Sequence, residues 1–420
     1  MIQYIKKIID NEYVFSVVAK VISVFSGIVY SVLFARYLGP ELRGEAAVIL
    51  NYSEMISLVL CLGIYQAYPY FKKITGKDLY MEFINYIFGL LLLYMLIAIV
   101  LICLFDWKIS IALSILLAPI LMGIKQLNYF VLIENPKIRN TANIKLDLFD
   151  IMFLSILLIT TDADYGFCVF FLVTKHLVFF IIACLNLKVN FLKIRPTLRG
   201  VLPYAKYGVV PMITVILMEV NYKIDVIILE RLHVNAVDIG IYSLGVMLAQ
   251  KLWMIPDALK DILLSKLAKG KTKKEVAKVT RLSFWITVVM VVGMIAFGKS
   301  LICIMYGSEF VDSYMVTVTI LAGVLGMVFY KMVYSYNVAN GRKNVNLVLL
   351  GSAAIINIVS NVIAIPYWGI MGSATASLIS CCLCGLSFLA YFCYTTKTSV
   401  IDMLFLKRDD INSIKQFIHR

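Results

Sequence analysis

Charge is scarce in this 420-residue sequence: Asp, Glu, Lys and Arg together make up 15% of it, against 61% hydrophobic residues and a mean hydropathy of +0.90. A soluble chain of this length needs more polar side chains to cover its surface, which excludes a soluble enzyme or binding domain. Histidine is nearly absent, with only His176, His233 and His419, and the nine cysteines lie mostly inside apolar runs, as Cys381, Cys382 and Cys384 do. Cysteine there acts as a small apolar residue, so neither a zinc site nor a disulfide framework is expected. Room is scarce too, because twelve spans of ~20 residues use about 240 positions and leave no space for a soluble catalytic domain. What the sequence does have is positive charge, +14 in all. In a soluble chain that excess would suggest nucleic acid; between apolar runs it reports topology, and no nucleic-acid partner is expected.

Apolar runs occupy residues 13–35, 46–69, 83–105, 109–133, 146–161, 165–186, 207–231, 237–260, 282–304, 313–338, 345–365 and 369–394. The fold class is therefore an all-α polytopic membrane protein of about twelve transmembrane helices in two six-helix bundles. Of the 39 basic residues, 26 fall in the segments on the side of the N-terminus and five on the other, among them Arg36, Lys108 and Lys299. Lysine and arginine are retained in the cytoplasm, so both termini are expected there. The chain divides into an N-lobe at 1–186, a basic cytoplasmic linker at 187–203, a C-lobe at 204–394 and an amphipathic tail at 395–420, read as a surface-lying helix. Two halves with the same starting orientation imply parallel repeats.

The remaining eight basic residues lie within spans, where a charge at the bilayer centre costs about 2.5–3.5 kcal/mol. Lys175 and Lys251 sit near the middle of the sixth and eighth spans, too deep for a ~6 Å side chain to reach water across a ~15 Å half-thickness. Both are candidates for a cationic substrate cavity. Lys20, Lys125 and Lys331 are nearer the cytoplasmic side, where either snorkelling or cavity lining explains them; Lys206 and Lys260 are placed at the interface. The seventh span pairs Glu219 with Lys223 and Asn221 with Asp225, each four residues apart, on stripes roughly 160° apart. A helix polar on two faces is shielded from lipid on both. Glu219 and Lys223 form an internal ion pair, or else Glu219 or Asp225 takes a proton or Na⁺ while Lys223 lines the pathway. Glu54 in the second span is open to the same two readings. Asn357 and Asn361, four apart in the eleventh span, either bond between helices or contact a sugar. Gly369, Gly372, Ala376 and Ser380 form a small-residue stripe suited to close helix packing. Pro119 and Pro256 interrupt the fourth and eighth spans.

Four stretches carry a resemblance: Ala35-Arg36-Tyr37-Leu38-Gly39-Pro40 with Gly44; Asp225-Val226-Ile227-Ile228-Leu229 with Gly240-Ile241-Tyr242-Ser243; Tyr306-Gly307-Ser308-Glu309-Phe310; and Asn340-Gly341-Arg342-Lys343 running on to Ile365-Pro366-Tyr367-Trp368-Gly369. In order and spacing they resemble the Wzx-type polysaccharide and oligosaccharide-lipid flippases of the multidrug/oligosaccharidyl-lipid/polysaccharide (MOP) exporter superfamily. The resemblance implies a V-shaped fold in the bacterial inner membrane and a polyprenyl-pyrophosphate-linked oligosaccharide as cargo. It also implies alternating access through a cationic central cavity, for O-antigen, capsule or exopolysaccharide assembly. Membrane lipids, a polysaccharide polymerase and its chain-length machinery are the implied partners of a functional monomer. No cofactor is expected beyond an H⁺ or Na⁺ gradient or the membrane potential. Relatives that flip the peptidoglycan precursor hold a pyrophosphate with basic residues on the first, second and eighth helices. Lys20 and Lys251 match two of these, while the second span offers Glu54. The alternatives are a cation-coupled multidrug exporter of the same superfamily and a membrane polymerase or glycosyltransferase. The latter needs paired carboxylates, and the only compact external pair, Asp162 and Asp164, reads as a solvated turn.

Overall fold

The computed structural model describes residues 12–187, 191–268, 273–407 and 410. The chain packs as two compact units, Met1–Ile216 and Leu217–Arg420, so the division falls inside one helix, a little beyond the linker that the sequence marks as the boundary.

The first unit begins with α1, Glu12–Leu60, which holds two of the expected spans. Pro40 lacks an N–H and its ring collides with the carbonyl one turn back, so the helix cannot run straight through. Gly39 absorbs the turn at φ 67°, a conformation that costs a residue with a Cβ. After a second bend at Leu62 and Gly63 comes α2, Ile64–Thr75. Then follow α3, Tyr80–Leu104; α4, Ile109–Glu134; α5, Pro136–Thr160; and α6, Tyr165–Leu185. Asn135 caps α5 by accepting from the Ile138 N–H at 3.1 Å, with proline at the first helical position where no donor is missed. Asp164 caps α6, accepting from the Phe167 N–H at 2.7 Å. Asp164 of the Asp162–Asp164 pair thus serves as a helix cap. α4 runs through Pro119 without ending. Tyr68, Phe83 and Phe130 form the aromatic centre of one core of this unit, and Phe34, Leu154 and Phe171 belong to a second. In the linker, Asn85 of α3 accepts the Arg195 N–H on its side chain (2.8 Å) and the Thr197 N–H on its carbonyl (3.2 Å), which holds this segment against the first unit. Residues 188–190 of the expected linker lie outside the described residues.

α7, Leu202–Arg231, crosses from the first unit into the second. The second unit continues with α8, Ala236–Leu252; α9, Met254–Ala268; α10, Lys273–Tyr306; α11, Ser313–Ala339; and α12, Lys343–Thr396. α12 repeats the device of α1, with a break at Gly369 (φ 53°) three residues after Pro366. α11 and α12 cross at glycine: a Cβ on Gly385 would sit 1.9 Å from the Gly326 carbonyl oxygen. Small residues are what bring membrane helices together when lipid removes the hydrophobic incentive. Here the crossing uses Gly326 and Gly385, whereas in the expected stripe Gly369 is the break itself and Gly372 packs on the Ala364 carbonyl of its own folded-back helix.

Among the described residues, seven helical stretches are long and apolar enough to cross a membrane, and two of them, Val21–Thr75 and Asn344–Thr396, are long enough to cross twice. α5, α7 and α8 supply the remaining three of the twelve crossings, the first two carrying charges that lower their hydropathy and the third being only 17 residues long. The lipid side is recognisable by exposed apolar ridges: Leu92, Leu96 and Val100 on α3, and Val289, Val292 and Phe297 on α10. This is a multi-pass membrane protein.

Beyond α12, the described residues hold only a short helix of the surface-lying one expected over 395–420. α13, Val400–Leu404, is five residues long, residues 408–409 and 411–420 lie outside the described residues, and the piece between is fastened to α10. Arg281 holds both carboxylate oxygens of Asp410, Nε to Oδ2 at 2.8 Å and Nη2 to Oδ1 at 3.1 Å, and also donates to the Asp402 carbonyl. Trp285 Nε1 donates to the Leu404 carbonyl at 2.9 Å. Burial alone would raise the Asp410 carboxyl, but Arg281 and the Lys407 N–H outweigh it and hold its pKa below the ordinary carboxylate value. A depressed folded-state pKa stabilises above the unfolded value of about 3.9 and is lost as pH falls through the lower folded value. The fastening is therefore expected to be complete at pH 6–7 and to loosen below about pH 4. Arg281→Met should cost about 3 kcal/mol, as for an orphaned buried partner. Hydrogen exchange of residues 397–407 checks this, and unchanged protection in Arg281→Met would refute it.

Candidate functional site

The two polar stripes of α7 meet two different environments. Glu219 and Lys223 pair at 2.9 Å and, with side chains a little under a third exposed, line a cavity of about 380 Å³ in the second unit. Asn221 and Asp225 turn the other way and are buried. The expectation of a helix shielded on both faces becomes one wet face and one packed face.

The opposite wall of the cavity comes from a break that the sequence places differently. Residues 237–260 are not one span: α8 ends at Leu252, and Trp253 closes it in a tight turn with its N–H on the Gln250 carbonyl at 3.0 Å. The cause is Pro256, whose ring excludes the carbonyl of residue 252 while Pro256 itself sits in the first turn of α9, where a missing donor costs nothing. The break brings Asp257 to Lys331 of α11, Nζ to Oδ2 at 2.7 Å. Lys331 is only 5% exposed, and its ammonium also lies over the Trp253 ring, 5.0 Å from the centroid. It does not snorkel; it is held by a carboxylate and an aromatic face. Lys260, which the sequence puts at the interface, lies 3.5 Å from the same Asp257 and lines the same cavity. Tyr222, Tyr330 and Tyr334 complete the wall.

On the packed face of α7, Asp225 is 3% exposed and accepts three hydrogen bonds from neutral donors: the Tyr242 hydroxyl at 2.6 Å, Asn361 Nδ2 at 2.9 Å, and the Ser377 hydroxyl. Asn361 in turn accepts from the Ser373 hydroxyl at 2.7 Å and lies against Asn357, and Asn221 accepts from Ser380 at 3.0 Å. Asn357 is fully buried, and its Nδ2 meets no acceptor among the described residues. Asn361 and Asn221 thus bond between helices, joining α7 to both halves of α12, while Asn357 bonds to Asn361 on its own helix and Tyr242 brings in α8. No ion pair reaches Asp225 among the described residues, so its charge rests on dipoles alone. Such a carboxylate is costly to bury and is a natural acceptor for a proton or a small cation.

Lys175 belongs to the first unit. It pairs with Asp150 of α5 at 2.9 Å and stands 4.0 Å from the centroid of Tyr30. Both side chains are largely buried, so Lys175 is neutralised locally and carries no spare charge to a cavity. Lys125 on α4, Glu54 on α1 and Lys251 in the last turn of α8 are half-buried, each with its own interactions. The side chain of Lys20 lies outside the described residues. The residues that sequence reasoning passed over are Asp150, Trp253, Asp257 and Tyr242; an aspartate within an apolar span, or a tryptophan three residues before a proline, was the available sign.

No family model and no curated protein matches the chain. Solved structures do. A structure of the lipid II flippase MurJ in an inward closed conformation aligns at TM-score 0.67 and 17% identity, covering 92% of this chain and 88% of that one. An inward-facing multidrug resistance MATE family transporter of the MOP superfamily aligns at 0.65 and 14%, covering 90% and 96%. The fold is that of the MOP superfamily. A MOP superfamily transporter from Pyrococcus furiosus, described as having a binding pocket of reverse polarity, aligns at 0.55 and 13%, covering 92% and 97%. All three are transporters or flippases, and at these identities the MOP likeness speaks for architecture alone.

Proposed function

We propose that the chain is a flippase carrying a polyprenyl-pyrophosphate-linked oligosaccharide, of O-antigen, capsule or exopolysaccharide type, across a bacterial cytoplasmic membrane by alternating access. The observation that carries this reading is the cavity of the second unit, where three lysines stand against two carboxylates between aromatic walls. The polyprenyl tail of such a cargo stays in the bilayer, while its hydrated anionic head cannot cross unaided. A polar, slightly cationic cavity gives that head replacement partners without any covalent step. The other reading, a cation-coupled drug exporter, is supported by the MATE neighbours, but the wall sets three lysines against two carboxylates and so offers an organic cation no net negative charge. Asp225, a buried carboxylate held by two hydroxyls and an amide N–H with no cation beside it among the described residues, is the group that would take up H⁺ or Na⁺ and couple transport to an ion gradient.

The test is reconstitution. Proteoliposomes containing the protein are expected to move a polyprenyl-pyrophosphate disaccharide between leaflets at least about tenfold faster than empty liposomes, and to leave ethidium undisturbed. Ethidium accumulation without movement of the glycolipid would replace the flippase reading with the exporter one.

A further inference from the structure

Resting on the flippase reading, we infer that the cavity lined by Trp253, Tyr222, Tyr330 and Tyr334 is a saccharide subsite, which grips the sugar of the cargo and not its pyrophosphate. Three features point there. The lysines of the cavity are already matched: Lys223 to Glu219 at 2.9 Å, Lys331 and Lys260 to Asp257 at 2.7 and 3.5 Å. A pyrophosphate would have to break these pairs and then lie beside two carboxylates, which favours neither partner. A sugar hydroxyl needs a donor and an acceptor side by side, and each of these ion pairs presents both.

The aromatic wall gives the second feature. The Tyr222 and Trp253 rings lie 4.6 Å apart, inclined at 49°, and Tyr330 and Tyr334 of α11 face the same space. Aromatic faces are electron-rich, and the C–H face of a pyranose is their complement, whereas a phosphate is repelled by them. The third is Trp253 itself. It is 7% exposed, and its indole N–H meets no acceptor among the described residues. A buried donor left without a partner is uncommon and calls for a ligand or water oxygen. At about 380 Å³ the cavity falls within the range of small-molecule sites.

The experiment uses the full chain in lipid nanodiscs, because maltoside detergents are themselves sugars. Saturation-transfer NMR is recorded with N-acetylglucosamine, glucuronic acid and maltotriose as probes, and with inorganic pyrophosphate as competitor. At least one sugar is expected to receive transfer to its ring protons. Its affinity should fall by about tenfold or more in Trp253→Leu and in Tyr334→Leu, fall less, by about three- to tenfold, in Trp253→Phe, which keeps an aromatic face and loses the indole N–H, and survive equimolar pyrophosphate. A thermal melt identifies any variant that has lost its fold, and the other then decides. Absence of transfer to all three sugars, wild-type affinity in the leucine variants, or displacement by pyrophosphate each overturns the subsite. The flippase reading has its own arm: glycolipid movement in liposomes with no sugar binding removes the subsite and leaves the flippase, while sugar binding without movement does the reverse.

Discussion

Asp225→Asn should yield a protein that inserts and folds but no longer couples transport to an ion gradient. Asparagine has the shape of aspartate, and its amide can be accepted by the Tyr242 or Ser377 hydroxyl once that hydroxyl rotates. The cost to stability should therefore stay at about 1 kcal/mol. What vanishes is the carboxylate proposed to take a proton or seat a cation. In the proposed mechanism this removes gradient-driven movement of the glycolipid, down to the rate of empty liposomes. Asp225→Leu is the contrasting variant, since it leaves the Tyr242, Ser377 and Asn361 donors unanswered, at about 1–3 kcal/mol each. It should express poorly as well as fail to transport. Wild-type rate and ion dependence in Asp225→Asn would remove this carboxylate from the mechanism.

The largest structural effect is expected from a single methyl group at Gly385. A Cβ there would lie 1.9 Å from the Gly326 carbonyl oxygen and 2.3 Å from its carbon, both backbone atoms that no rotamer change can clear. α11 and α12 would have to separate, breaking contacts along the crossing. Overpacking costs typically about 1–3 kcal/mol and occasionally more, and a backbone clash belongs at the upper end. Gly293→Ala is the control, because nothing lies within 4 Å of its Cβ position; it should be neutral or slightly stabilising in a helix. Thermal unfolding of both variants, read against wild type, decides. Equal melting temperatures for Gly385→Ala and Gly293→Ala would show that the crossing yields more easily than its geometry implies.

Much of the fold could be read from the chain because its signals are local. Pro40 and Pro366 each announce a break, and Gly39 and Gly369 beside them take the positive φ it needs. The two polar stripes of α7 follow from spacing alone. What spacing cannot supply is the partner on another helix. Lys175 reads as a deep, unmatched cation until α5 is set beside α6 and Asp150 arrives at 2.9 Å. Lys331 stays open between snorkelling and cavity lining until the α8–α9 break brings Asp257 and Trp253 to it. The glycine crossing is hidden for the same reason, since Gly326 and Gly385 are 59 positions apart and neither lies in a motif. Intrahelical facts were legible; interhelical ones needed the packing.

The fastening of Asp410 by Arg281 bears on where the chain can be cut. A stop placed soon after α12, at residue 398 for instance, would look harmless by hydropathy, because every membrane crossing would be retained. It would nevertheless strand a guanidinium that is 5% exposed and take away the carbonyl and carboxylate that receive it. The first turns of α10 would then carry a buried charge with no partner, at about 3–5 kcal/mol for a broken buried pair. The minimal trimmed chain therefore ends after Asp410, and affinity tags belong beyond it.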